Sequence, residues 1–157
     1  MSKWALLGTV GLLSCFSAVA QDDLDSIFDR EVLIIEASAH ACYRFDIYLA
    51  VTDKQRSQGL MFVRKLPANT GMLFVYDPAD FISMWMKNTY IPLDMIFARN
   101  DGTISSIARN TEPLSLRSVA SIEPVTYVLE LNAGITEKLF IDADSRLILE
   151  TREDDDK

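Results

Sequence analysis

Apolar and polar positions alternate along much of this chain, over runs of strand length. A period of two marks strands with one face buried. The cleanest run is "HACYRFDIYLAV", residues 40–51. Cys42, Arg44, Asp46 and Tyr48 fall on one side of it, and Tyr43, Phe45, Ile47 and Leu49 on the other. "EVLIIEA" precedes it, and "GMLFVY", "FISMWMK", "LDMIFAR", "TISSIA", "VTYVLEL" and "RLILE" follow. Most are rich in β-branched and aromatic residues, which suit a pleated, half-buried surface. "DPAD" predicts a turn around Pro78, and "NDG" predicts a hairpin joining "LDMIFAR" to "TISSIA". "NTYIP" turns the chain between 81–87 and 93–99, which predicts a second hairpin there.

Two segments carry helical signals. Thr52 with Gln55 three residues on has the capping-box pattern, and Gly59 can close the helix that follows. "AGITEKLF" places Ile135 and Leu139 on one face of two helical turns. Residues 109–124 have no clean period, and a loop that long in a compact domain is usually functional or mobile. The predicted fold is mainly β, an antiparallel β-sandwich or barrel with one or two short helices. No strand–helix alternation of the parallel-sheet kind is visible.

The pattern changes at both ends. Lys3, the apolar run Trp4–Phe16 and small Ala18 and Ala20 ahead of "QDD" predict a signal peptide over 1–20, cut after Ala20. The expected location is periplasmic or secreted. One alternative is a retained anchor, although the apolar run is short for a span. The other is a lipoprotein modified at Cys15 in "LLSC", where Leu13 fits the signal poorly. Residues 21–31 are expected to form a flexible acidic leader, 32–150 a single β domain, and 151–157, "TREDDDK", a disordered acidic tail. Cleavage leaves Cys42 as the only cysteine, with no internal disulfide, and a lone thiol in an oxidising compartment is expected to be buried.

Charge narrows the partners. The 157 residues carry a formal net charge of −8, which argues against nucleic acid and against an anionic membrane surface. The membrane is met only through the N-terminal segment, if that is retained or lipidated. A small polar ligand or an exported protein partner remains.

The candidate chemistry lies in "SMWMKNTYIPLDMIF", residues 83–97, where Lys87 and Asp94 interrupt an apolar run. If 81–87 and 93–99 pair, those two charges meet. Glu130, closing "TYVLE", could reach the same end of the sheet, and Arg56 and Arg64 add cations. Trp85 and Asn88 flank the lysine. Convergent charges of this kind can bind a polar ligand or do acid–base work. They can equally be structural ion pairs. An enzyme reading would make Asp94 and Glu130 the acid–base pair of a hydrolase or lyase, and the sequence does not decide whether there is catalysis. Met84 and Met86 share a face and could suit Cu(I), though methionine is more often core. His40 and Cys42 are spaced badly for a nucleophile–base bond. Tyr48, Tyr90 and Trp85 could wall a groove, with core packing as the plainer role. No nucleophile elbow, phosphate loop or cofactor motif is present in the sequence.

"TDKQRSQGLMFVRKL", "GMLFVY", "MWMKNTYIPLDMIF", "NDGTISSIA" and "YVLELNAG" resemble, in order, the domain-of-unknown-function 192 family of small bacterial and archaeal proteins. The similarity runs over about residues 32–149 and includes Arg56, Gly59, Gly71, Trp85, Lys87, Asn88, Asp94 and Glu130. It implies a compact, mainly β fold of jelly-roll-like type, often behind a signal peptide, with no established reaction, cofactor or ligand. Met84 stands where the family often has Phe, and Ala143 where it usually has Gly.

Overall fold

A computed structural model of the chain describes residues 24–38 and 40–149. The expected signal peptide, its cleavage site, Cys15 and the acidic tail lie outside the described residues. The elements are β1 (Asp29–Glu36), β2 (Cys42–Ala50), α1 (Asp53–Gln58), β3 (Thr70–Asp80), β4 (Ser83–Met84) and β5 (Leu93–Ala98). They continue with β6 (Ile104–Thr111), β7 (Val119–Ala120), β8 (Val125–Asn132), α2 (Ile135–Lys138) and β9 (Arg146–Leu149). Among the described residues no helix is long and apolar enough to cross a membrane.

Seven strands form one sheet in the order β6-β5-β8-β3-β2-β1-β9, and β4 and β7 form a separate two-stranded ribbon. The expectation of a strictly antiparallel sheet is corrected at one place: β2 and β3 run parallel, with Ile47 opposite Gly71 and Leu49 opposite Leu73. Parallel neighbours cannot be joined by a tight turn. The chain from 51 to 69 therefore crosses one face of the sheet, and α1 lies in that crossing.

The sheet curls. Thr103 forms a bridge with Arg146, so the β6 and β9 edges meet at one point. The Leu147 N–H donates to the Gly102 carbonyl at 2.9 Å. Gly102 has φ +83°, and a Cβ there would lie 2.0 Å from the Leu147 carbonyl oxygen. A side chain would wedge this seam open.

Both faces of the sheet are buried. The inner face gathers side chains from all seven strands, among them Leu33, Phe45, Leu73, Ile96, Ile104, Leu129 and Leu147. The outer face carries Tyr48, Met72, Phe74, Met95 and Val128. It is covered by Leu60, Val63 and Leu66 after α1, and by Ile82, Met84 and Met86. Alternation in "HACYRFDIYLAV" sends Phe45 and Ile47 to the inner core and Tyr48 to the outer.

Three expectations change. The hairpin between 81–87 and 93–99 does not form, because β5 is bonded on both edges, to β6 and β8, and β4 pairs with β7. The described part of the expected leader is packed: Leu24 and Phe28 are buried, and the Phe28 ring meets Tyr48 edge-on at 6.4 Å. Cys42 is exposed rather than buried, since it opens β2 on the solvent side that also carries Arg44.

Candidate functional site

Glu130 is the only acid in "VTYVLEL", a strand bonded to β3 on one edge and β5 on the other. It stands opposite Met72 on one side and Met95 on the other, so its side chain belongs to the outer face. It is 4% exposed and makes no hydrogen bond to any described residue. Burial alone pushes its carboxyl up to about 8. Close strand approach beside it depends on Gly71, where a Cβ would meet the Glu130 carbonyl oxygen at 2.7 Å.

The crossing from β2 to β3 supplies a wall. Gln55 N–H donates to Thr52 Oγ1 at 3.3 Å, and Thr52 N–H donates to Gln55 Oε1 at 3.0 Å. This reciprocal cap starts α1 where the sequence predicts it. One turn on, the Arg56 guanidinium donates to the carbonyls of Val51 and Val75, the latter at 2.8 Å, and pairs with Asp53. Its Cζ lies 5.1 Å from the centre of the Tyr76 ring. Four fixed contacts make Arg56 a strut between α1 and β3. The Tyr76 hydroxyl donates to Met84 Sδ at 3.5 Å, and it is pushed up to about 12 by burial, which Arg56 opposes and Glu130 reinforces.

The segment around β4 supplies the rim. Ile82, Met84 and Met86 point inward, and Trp85 and Lys87 point out. Trp85 is 52% exposed, with Lys87 Nζ 5.2 Å from its ring centre. A cavity of about 330 Å³ opens between these pieces, with Glu130, Arg56, Tyr76, Met84, Trp85 and Lys87 among its lining. That volume is within the range of small-molecule sites.

Asp94 is not part of it. In β5 it pairs with Leu131, one step out of phase with Met95 and Glu130, so it faces the inner side of the sheet. Its Oδ1 accepts from Asn110 N–H at 2.9 Å, and its Oδ2 accepts from Thr136 N–H at 3.0 Å and Thr136 Oγ1–H at 2.7 Å. Arg109 Nε donates to the same hydroxyl at 3.1 Å. Asp94 thus ties α2 to β5 and β6. The expected Lys87–Asp94 pair does not form, because the hairpin that would create it does not. Asn88 shapes the cavity edge without lining it. It holds φ +57°, accepts from Phe62 N–H at 2.8 Å, and donates to Met61 Sδ at 3.8 Å.

The model of the family described as "Uncharacterized ACR", the domain of unknown function 192, matches residues 34–149. This chain belongs to that family. A crystal structure of a Sinorhizobium meliloti 1021 protein, described as a candidate transcription regulator, is 41% identical with a TM-score of 0.76, covering 78% of this chain and 95% of its own. A Novosphingobium aromaticivorans DSM 12444 protein of unknown function is 31% identical with a TM-score of 0.73, over 76% of this chain and 84% of its own. No curated protein matches the chain.

In this domain-of-unknown-function 192 protein, the methionine pair is core. Met86 Sδ accepts from the Thr111 hydroxyl at 3.2 Å, and Met84 is engaged by Tyr76. Among the described residues no three of His, Cys, Asp and Glu gather as a metal site. Tyr48 is buried, and Tyr90 lies under Arg64 at 4.7 Å, so neither joins Trp85 at the cavity. Tyr76 was missed by sequence reasoning. Its signal was the alternation in "GMLFVY", which puts Met72, Phe74 and Tyr76 on the face that Glu130 shares.

Proposed function

We propose that this protein is an exported binding domain that takes a small polar ligand in the cavity over Glu130. Export rests on the signal-peptide pattern of residues 1–20. Binding rests on one observation: a buried carboxyl without a hydrogen-bond partner among the described residues lines a cavity large enough for a small molecule. A buried polar group left unpaired is destabilising, and one that faces a cavity can be completed by a ligand or an ordered water. The strut at Arg56 and the side chain of Trp85 give that cavity a fixed wall and an aromatic rim. Acid–base catalysis by Asp94 with Glu130 has no shared cleft in which to act, since the sheet separates the two. A transcriptional role through DNA contact fits poorly with a net charge of −8.

The test is Glu130→Leu. Removing an unpaired buried acid should raise the melting temperature while abolishing any ligand-induced shift. A thermal-shift screen of wild type and variant against sugars, peptides, organic acids and metal ions reads both effects. A variant that melts lower than wild type, with no compound shifting wild type, overturns the proposal.

A further inference from the structure

The charges around the cavity point to what kind of ligand it accepts. Four elements bring titratable groups to its lining: Asp53 and Arg56 on α1, Tyr76 on β3, Lys87 after β4, and Glu130 on β8. Arg56 is offset by Asp53 and saturated by two backbone carbonyls. Lys87 has no carboxylate within ion-pair distance among the described residues; its charge rests against the Trp85 ring. The Tyr76 hydroxyl already donates to Met84. Glu130, desolvated and without a cation beside it, holds its proton at neutral pH. The lining therefore carries one uncompensated positive charge, on a chain whose net charge is −8. A protonated carboxyl at the floor offers an O–H donor, and an ammonium at the rim offers N–H donors. Leu60, Phe74, Met84 and Trp85 add apolar surface to the same lining.

Resting on the binding function proposed above, we infer that the cavity receives the carboxylate of a small organic acid. The Glu130 hydroxyl and the Lys87 ammonium donate to that carboxylate, and the apolar wall covers the acid's body. Hydrogen bonds to an ionised acceptor are the stronger kind, and both donors here lack a competing acid. The acid is bound together with the proton that Glu130 retains, so binding is linked to pH. A cationic ligand would instead require Glu130 to lose its proton and would meet Lys87 at the entrance.

Titration calorimetry with benzoate, phenylacetate and hexanoate, each beside its neutral amide and its amine analogue, tests this on the mature protein. The carboxylates should bind at pH 6.5, and their affinity should fall about tenfold by pH 9.0, as Glu130 ionises. Glu130→Gln keeps a donor that does not titrate, so it should bind the carboxylates without that fall. Lys87→Met, an exposed change that leaves the fold intact, should weaken all three. Amides or amines binding as well as the acids would overturn this inference while leaving the binding function in place. If no probe binds at either pH, the inference is overturned, and the Glu130→Leu screen then decides the broader proposal by itself.

Discussion

Asp94 and Glu130 stand on adjacent strands, one step apart in register, and face opposite sides of the same sheet. Both are buried. The environment treats them in opposite ways: Asp94 accepts three hydrogen bonds, and Glu130 accepts none from the described residues. One is an anchor for α2. The other is an open functional group.

Removing the anchor should be costly. Asp94→Ala leaves the Asn110 and Thr136 N–H groups and the Thr136 hydroxyl without their acceptor, a loss of about 3–4 kcal/mol in urea denaturation. Lys87→Met should change stability by no more than about 0.5 kcal/mol, because Lys87 is exposed and lacks an ion-pair partner among the described residues. The two effects should add in the double variant. A double variant that loses clearly less than the sum of the two single losses would show that the two charges are coupled.

Stability should fall as pH rises through the range where Glu130 differs between the folded and unfolded chain. Its folded value, about 8, is above the ordinary 4.5, so the folded state holds the proton that the unfolded state has already released. This contribution is full below pH 4.5, declines as pH climbs toward 8, and is spent above that. The span corresponds to on the order of 5 kcal/mol. Glu130→Gln removes that component. Denaturation curves of both proteins from pH 4.5 to 9 should therefore differ by a term that declines only in the wild type.

Gly71→Ala should destabilise by about 2–3 kcal/mol, measured by thermal or chemical melts. The added carbon meets a backbone oxygen at 2.7 Å and a Leu131 methyl at 2.6 Å, and the backbone oxygen cannot swing aside. Relief requires β3 and β8 to separate next to Glu130. Any ligand binding to the cavity should weaken with the fold.

Thr52→Ala should cost about 1 kcal/mol, the usual worth of a side-chain cap. The helix it starts is six residues long and carries Arg56. Loss of the cap should speed amide exchange across 53–58 before it affects the sheet, as hydrogen-exchange mass spectrometry can follow.

Local features of the fold were legible, because the signals that specify them are local. The capping box at Thr52 and Gln55, the close of α1 at Gly59, the turn that brings β5 back as β6, and the opposed faces of Met84 and Trp85 all follow from neighbours in sequence. Beyond that hairpin, strand pairing was not legible. "FISMWMK" and "LDMIFAR" look like partners across a turn, but β5 has both edges taken by β6 and β8. Asp94 was misplaced for the same reason: register with a distant strand decides which face a residue takes, and one step of register reverses it. Of the expected site, Arg56, Trp85, Lys87 and Glu130 do converge on one cavity, because α1, the β4 segment and β8 share the outer face.

Two strands that point the same way oblige the chain between them to return over open sheet. Here that return is the stretch from 51 to 69, and it passes above the position where Glu130 emerges. The chamber is in this sense a product of connectivity: its roof is the route home between β2 and β3.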